Sequence, residues 1–205
     1  MREEGAFEKL VSELKACRHC EKEFGFTPHP IQWGNLSAPI LQISQAPSKK
    51  VHETGIPFND PSGVTLRRDW YQIDDALFYN KDLFYITQMG HCFPGKSGRG
   101  NYDRKPPRCC YSMWTEKEIA LKKDTQLIII VGGEAAARPI PKRPLSELVF
   151  ATDLELAGIP VIVLPHPSPL NRRWLKSHPD FERVRLPQVR ARLHQILKEA
   201  THGDL

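Results

Sequence analysis

The run Leu127-Ile-Ile-Ile-Val131 constrains this chain most. Consecutive large apolar residues, most of them β-branched, suit a strand covered on both faces, as the inner strands of a parallel sheet are. Three further runs, Ala38 to Ser44, Leu83 to Gln88 and Val161 to Leu164, have the same character. Helical spacing fills much of the sequence between them. Glu3 to Ala16 sets Phe7, Leu10, Val11 and Leu14 on one face, and Val64 to Leu77 does so with Leu66, Trp70, Ile73 and Leu77. Trp114 to Lys122 and Leu186 to Glu199 also read as helices, and Gly132-Gly133 leads into a short one over Glu134 to Arg138. Lys49 to Gly63 reads as a polar loop rich in Gly and Pro, and His91 to Arg108 as a loop rich in Gly, Pro, Lys and Arg, either an arm that meets a polyanion or a solvated loop. Four strands alternating with helices, without an internal repeat, predict an α/β fold: a three-layer α/β/α sandwich around a central four-stranded, mostly parallel sheet.

In open parallel sheets ligands bind beyond the carboxyl ends of the strands. Three of the four strands end in polar turns: Gln45-Ala-Pro-Ser48, Gln88 to Cys92, and His166-Pro-Ser-Pro-Leu-Asn171. A parallel sheet brings these turns to one edge, and a site is expected there. In the third turn two prolines fix the backbone. The intervening amides and the Ser168 hydroxyl are then expected to grip a phosphate. Leu170 projects as an apolar wedge, and Arg172 and Arg173 meet the phosphate backbone. Phe58, in Gly55-Ile-Pro-Phe58, can stack on a base or anchor its own loop. A formal net charge of +5 suits a polyanionic partner without requiring one.

No apolar run reaches the length of a membrane span, and the charged N-terminus lacks the apolar stretch of a signal peptide. A soluble, intracellular and cytoplasmic protein is expected, with no membrane partner and no oligomer signal, hence a monomer. In a reducing compartment thiols stay out of disulfides, which makes metal binding or burial the default for the five cysteines. Cys17-x-x-Cys20 supplies one pair of thiolates. Cys92 and the neighbours Cys109-Cys110 supply the rest, with one of the adjacent two left over. On spacing alone zinc and an iron–sulfur centre fit equally well.

Taken in order, these segments resemble the uracil-DNA glycosylase superfamily, and most of all its iron–sulfur branch, family 4. The resemblance runs from Cys17 to Trp174. After Cys17-x-x-Cys20 comes a Trp33-Gly34 turn. Ser44-Gln45-Ala-Pro-Ser48 stands at the family's Gly-Glu-Ala-Pro-Gly motif, and Gly55-x-Pro-Phe58 at its Gly-x-Pro-Phe. Phe84-Tyr-Ile-Thr-Gln88 stands where the family has a strand ending in Asn, with Cys92 shortly after. His166-Pro-Ser-Pro-Leu170 resembles the superfamily's minor-groove loop.

The resemblance implies one glycosylase-like domain over residues 1–205, with a cluster-binding N-terminal segment over 1–37. It implies a structural four-iron, four-sulfur cluster on Cys17, Cys20, Cys92 and Cys110, zinc being the alternative. It implies a monofunctional hydrolase that cuts the N-glycosidic bond of uracil or a related deaminated base flipped out of DNA. Ala46, Phe58 and Gln88 would contact the base, with Phe58 stacking on it and Gln88 reading its edge. His166 would stabilise charge on the departing base, while Ser48, Ser168, Leu170, Asn171 and Arg172 meet the DNA. Gln45 replaces the family's Glu and can orient water but cannot act as a base; Asp60, close after Phe58, is an alternative there or simply a turn residue. Gln88 replaces Asn, and Ser44 and Ser48 replace glycines. These departures keep open a second reading, a DNA- or nucleobase-binding protein on the same fold without turnover.

Overall fold

The computed structural model describes residues 2–98, 102–140 and 142–202. Helix α1 (Arg2–Lys15) and the short α2 (His19–Phe24) precede the first strand, β1 (Ile40–Ser44). Then come α3 (Lys49–Thr54), α4 (Pro61–Val64), which widens into a π-helical segment over Thr65–Tyr71, α5 (Asp75–Phe78) and β2 (Phe84–Gln88). A long segment leads through a π-helical stretch, Tyr111–Thr115, to α6 (Glu116–Leu121), β3 (Leu127–Val131), α7 (Gly133–Ala136) and α8 (Leu145–Phe150). A hairpin of β4 (Glu155–Leu156) and β5 (Ile159–Leu164) follows, then α9 (Arg172–Ser177) and α10 (Leu186–His202).

The sheet order is β2-β1-β3-β5-β4. The first four strands are mutually parallel, and β4 joins β5 antiparallel. The architecture is the expected α/β sandwich with one strand more than the sequence predicts. That strand is two residues long, too short for alternation to register. A second correction concerns Lys49 to Gly63, read as loop: it contains α3 and the start of α4. Both are brief helices set by caps. The Ser48 hydroxyl accepts from Val51 N, and the Asp60 carboxylate accepts from Gly63 N with Pro61 in the first turn.

Every residue of β1, β2 and β3 is buried, so these strands lie wholly inside the sandwich. Helix α10 covers the sheet with Val189, Leu193 and Ile196, all fully buried. Trp70 and Phe181 meet edge-to-face at 5.0 Å beside it. On the other side α1 sets Leu10 and Leu14 against Trp114 and Cys110, a small second core. Buried Lys122, at the end of α6, donates to the carbonyls of Asn35, Leu36 and Ala38 and so fixes the entry to β1. Among the described residues no helix is long and apolar enough to cross a membrane.

In register, Ser44 lies beside Gln88, and Val131 beside Leu164. The four parallel strands therefore end along one edge, and the turns that follow them emerge together.

Candidate active site

A cleft of about 610 Å³ opens at that edge. It is lined from the turn after β1 by Gln45, Ala46 and Ser48, from the α3–α4 segment by Phe58 and Asp60, from the end of β2 by Gln88, and from the turn after β5 by His166, Ser168, Leu170 and Asn171. Nine of the expected site residues, and the alternative Asp60, are thus brought together here. Arg172 and Arg173 are the exceptions among the DNA-facing ones: both are exposed at the start of α9 and neither is part of the cleft wall.

The turn after β5 differs in one respect from the expectation. Its amides are not held free for a phosphate. Ser168 N donates to His166 Nδ1 at 3.1 Å, Leu170 N to the Ser168 hydroxyl at 3.3 Å, and Asn171 N to the Ser168 carbonyl at 2.9 Å. Asn171 Nδ2 donates to the His166 carbonyl at 3.1 Å. The prolines pre-set the backbone, and the turn spends its donors on gripping His166. Because Nδ1 accepts a hydrogen bond it carries no proton, so the neutral ring bears its hydrogen on Nε2. Burial holds the His166 pKa below the ordinary value, with the Asp60 carboxylate pulling the other way. The ring is therefore a neutral donor at neutral pH. Gly132, at φ +97°, passes beneath it in a backbone conformation that L side chains rarely adopt.

Phe58 sits at φ +54°, left-handed for a residue with a Cβ. Such a conformation costs on the order of 1–3 kcal/mol and persists only where surroundings impose it. Here Arg67, itself buried, donates to the Phe58 carbonyl at 2.8 Å. Gly63 lies so close that a Cβ would stand 1.7 Å from the same oxygen. The ring packs edge-on against Phe78 at 6.0 Å, leaving Phe58 both loop anchor and cleft wall.

Gln88 is almost fully buried, and its side-chain Oε1 has no hydrogen-bond partner. A buried carbonyl of this kind costs roughly 1–3 kcal/mol until a donor reaches it. Its own backbone carbonyl is fixed by the Thr115 hydroxyl at 2.7 Å. Asp60 receives the Ser48 hydroxyl at 2.8 Å and Gly63 N at 2.9 Å, so Ser48 positions a carboxylate as well as capping α3.

Cys17, Cys20, Cys92, Cys109 and Cys110 line a second cavity, walled by Leu14, Phe26, Pro28, Pro30, Met113 and Trp114. Chain segments far apart in sequence meet there, joined by His91 N, which donates to Cys110 Sγ at 3.4 Å. Burial pushes Cys20 up to about 11 and Cys92 and Cys110 up to about 12, neighbouring thiols adding to each shift. Among the described residues no three His, Cys, Asp or Glu side chains stand together as ligands of one ion. A tetrahedral zinc with Zn–S bonds of about 2.3 Å needs its sulfurs about 3.8 Å apart. A four-iron cluster spreads its four thiolates over four metals and accepts a wider ring.

Behind both sites lies a buried polar network that the sequence did not signal. Glu118, wholly inaccessible, accepts from the Tyr85 hydroxyl at 2.7 Å and the Thr87 hydroxyl at 2.6 Å and pairs with His91 Nε2 at 3.2 Å. His91 Nδ1 lies 3.1 Å from the Ile31 carbonyl. Burial works against both charges, but each holds the other: Glu118 stays below the usual carboxylate value and His91 above the usual imidazole value. Tyr102 to Lys105 also line the cleft; they belong to the basic, Gly-rich stretch His91 to Arg108, whose composition marks the stretch as a whole but none of these four residues in particular.

A family model described as the uracil DNA glycosylase superfamily matches residues 31–190. The match spans the sheet and every turn of the cleft, and it begins after Cys17 and Cys20. Members of this superfamily are generally glycosylase hydrolases acting on uracil-type bases in DNA. With most of its length matched and the site turns of the sheet included, the chain belongs to the uracil DNA glycosylase superfamily.

Proposed function

We propose that the protein is a monofunctional DNA glycosylase that hydrolyses the N-glycosidic bond of uracil or a related deaminated base. The observation that carries this reading is the meeting, in one cleft, of a neutral His166 with its proton on Nε2, the unpartnered carbonyl of Gln88 and the ring of Phe58. A base extruded from DNA stacks on Phe58 and gives an imide or amino N–H to Gln88 Oε1. His166 Nε2–H donates to the base oxygen on which negative charge develops. The C1′–N bond breaks with its electron pair leaving on the base, and a fixed donor stabilises that anion without reorganising. Water then adds at C1′ and loses a proton. Gln45 orients this water, and Asp60, the cleft carboxylate beside His166, takes the proton. Leu170, exposed on its turn, fills the gap left in the duplex.

Cys17, Cys20, Cys92 and Cys110 hold a four-iron, four-sulfur cluster in this reading. The cluster supplies no step of the hydrolysis; it fastens α2 and the segment after β2 to α1. Cys109 is the spare thiol. The meeting of all five cysteines in one apolar-walled cavity, and the N–H of His91 on Cys110, support this assignment.

The test is cleavage of a uracil-containing oligonucleotide by anaerobically purified protein, with alkali to reveal abasic sites. Alkali-dependent scission is expected. Tight binding to uracil DNA without any base release from uracil, hypoxanthine or xanthine substrates would replace this reading with that of a binding protein on the same fold.

A further inference from the structure

In the loop between β2 and α6, the segments on either side of residues 99–101 are braced against each other and form an arm. Lys96 and Asp103 form an antiparallel bridge and an ion pair of 2.7 Å. Ser97 N donates to the Tyr102 carbonyl at 2.8 Å, and Arg104 N to the Gly95 carbonyl at 2.9 Å. The tip, residues 99–101, lies outside the described residues. This frame holds Tyr102 at the cleft with 59 % of its surface exposed. Five large apolar side chains are exposed among the described residues, and two of them, Tyr102 and Leu170, line this one cleft. They arrive from opposite sides of the sheet. The arm follows β2 and the Leu170 turn follows β5, three strand spacings away, about 14 Å.

Next to the cleft, and sharing Gln45 and Lys105 with it, lies a further cavity of about 460 Å³ that also has Arg108 and Arg138 in its wall. Arg138 is committed to the protein: it donates to the Arg108 carbonyl and covers the Tyr111 ring. Lys105 pairs with Glu134 at 2.6 Å. The Arg108 side chain is exposed.

We propose that this arm is a second DNA-gripping element, in which Tyr102 stacks on a base beside the extruded nucleotide and Arg108 meets a phosphate of the same strand. The proposal rests on the reading of the cleft as the seat of an extruded nucleotide. An aromatic ring presented to solvent by a braced hairpin offers a face on which any base can stack. A cation in an adjoining hollow suits the next phosphates as the strand leaves the cleft. Leu170 and Tyr102 then divide the work: one fills the vacated position and the other holds the flanking base.

The experiment measures binding of the full-length protein to two probes by fluorescence anisotropy. One is a labelled single-stranded oligonucleotide with one uncleavable 2′-fluorinated deoxyuridine. The other is the corresponding mononucleotide, used as competitor. Tyr102→Ala should weaken oligonucleotide binding about tenfold or more and leave the mononucleotide's affinity unchanged. Tyr102→Trp should restore binding, with its added fluorescence quenched by the oligonucleotide. Arg108→Ala should lower the slope of log affinity against log salt by about 0.7, the value of one single-strand phosphate contact. Tyr102 is exposed, and its backbone bond survives each substitution, so the variants should melt as the parent does. If the parent binds both probes and Tyr102→Ala binds the oligonucleotide equally well, the arm proposal is overturned while the cleft reading stands. If the parent binds neither probe, both fall.

Discussion

Ser168 N–H donates to His166 Nδ1 at 3.1 Å, which leaves the ring's single proton on Nε2. The nitrogen that can donate into the cleft is thus set by a backbone amide two residues along the same turn.

The pH dependence follows from that bond. The His166 pKa is depressed by burial, so the neutral ring predominates above the ordinary value of 6.5. As pH falls through the depressed value, a second proton must enter at Nδ1, against the Ser168 N–H, and the turn loses its grip. The single-turnover rate should therefore be level above pH 6.5 and fall below it. His166→Ala should lower the rate about 100- to 1000-fold, the usual cost of one donor to a developing anion. Its affinity for an uncleavable substrate should change little. An equal loss in rate and affinity would make His166 a binding residue only.

Asp60 can be tested without disturbing the fold. Asp60→Asn keeps one oxygen for Gly63 N, so α4 stays capped, and sets its NH2 where the second oxygen accepted the Ser48 hydroxyl, which then turns to accept instead. The substitution removes the charge and reverses the bond with Ser48. We expect the rate to fall by about 100-fold, within the range for losing a general base, with the melting temperature unchanged. An unchanged rate would leave water placement to Gln45 alone.

The Glu118 network concerns stability. Glu118→Gln leaves His91 buried without its counter-charge and disturbs the bonds from Tyr85 and Thr87. Removing one member of a buried pair costs about 3–5 kcal/mol. Urea denaturation should show a loss of that size. A change below about 1 kcal/mol would show that the pair is neutral in the folded protein.

Cys109 and Cys110 are separable by metal content. Cys110 is buried and accepts the His91 N–H, whereas Cys109 is half-buried. Cys110→Ser should abolish iron and visible absorbance in anaerobically purified protein and lower its melting temperature. Cys109→Ser should keep both. The reverse pattern would exchange the two assignments, and colourless protein with stoichiometric zinc would replace the cluster.

The four parallel strands, the helices that cover them and the positions of the site turns were legible in the sequence. Local pattern carries them: an all-apolar run such as Leu127–Val131 has no stable place except inside a covered sheet. The residues of the cleft were legible for the same reason, since parallel strands must end on one edge. Helix α3 was not, because one turn and a half held by a Ser48 cap leaves too short a period between Pro47 and Gly55. The use made of each side chain needed the tertiary structure. Only the folded turn shows the amides near Ser168 bonded to His166 and within the turn itself. Only the meeting of β2 with α6 joins Glu118 to His91, and only the braced arm brings Tyr102 to the cleft. Such pairings are fixed by distance and direction between segments remote in sequence, and a one-dimensional pattern of polarity holds neither.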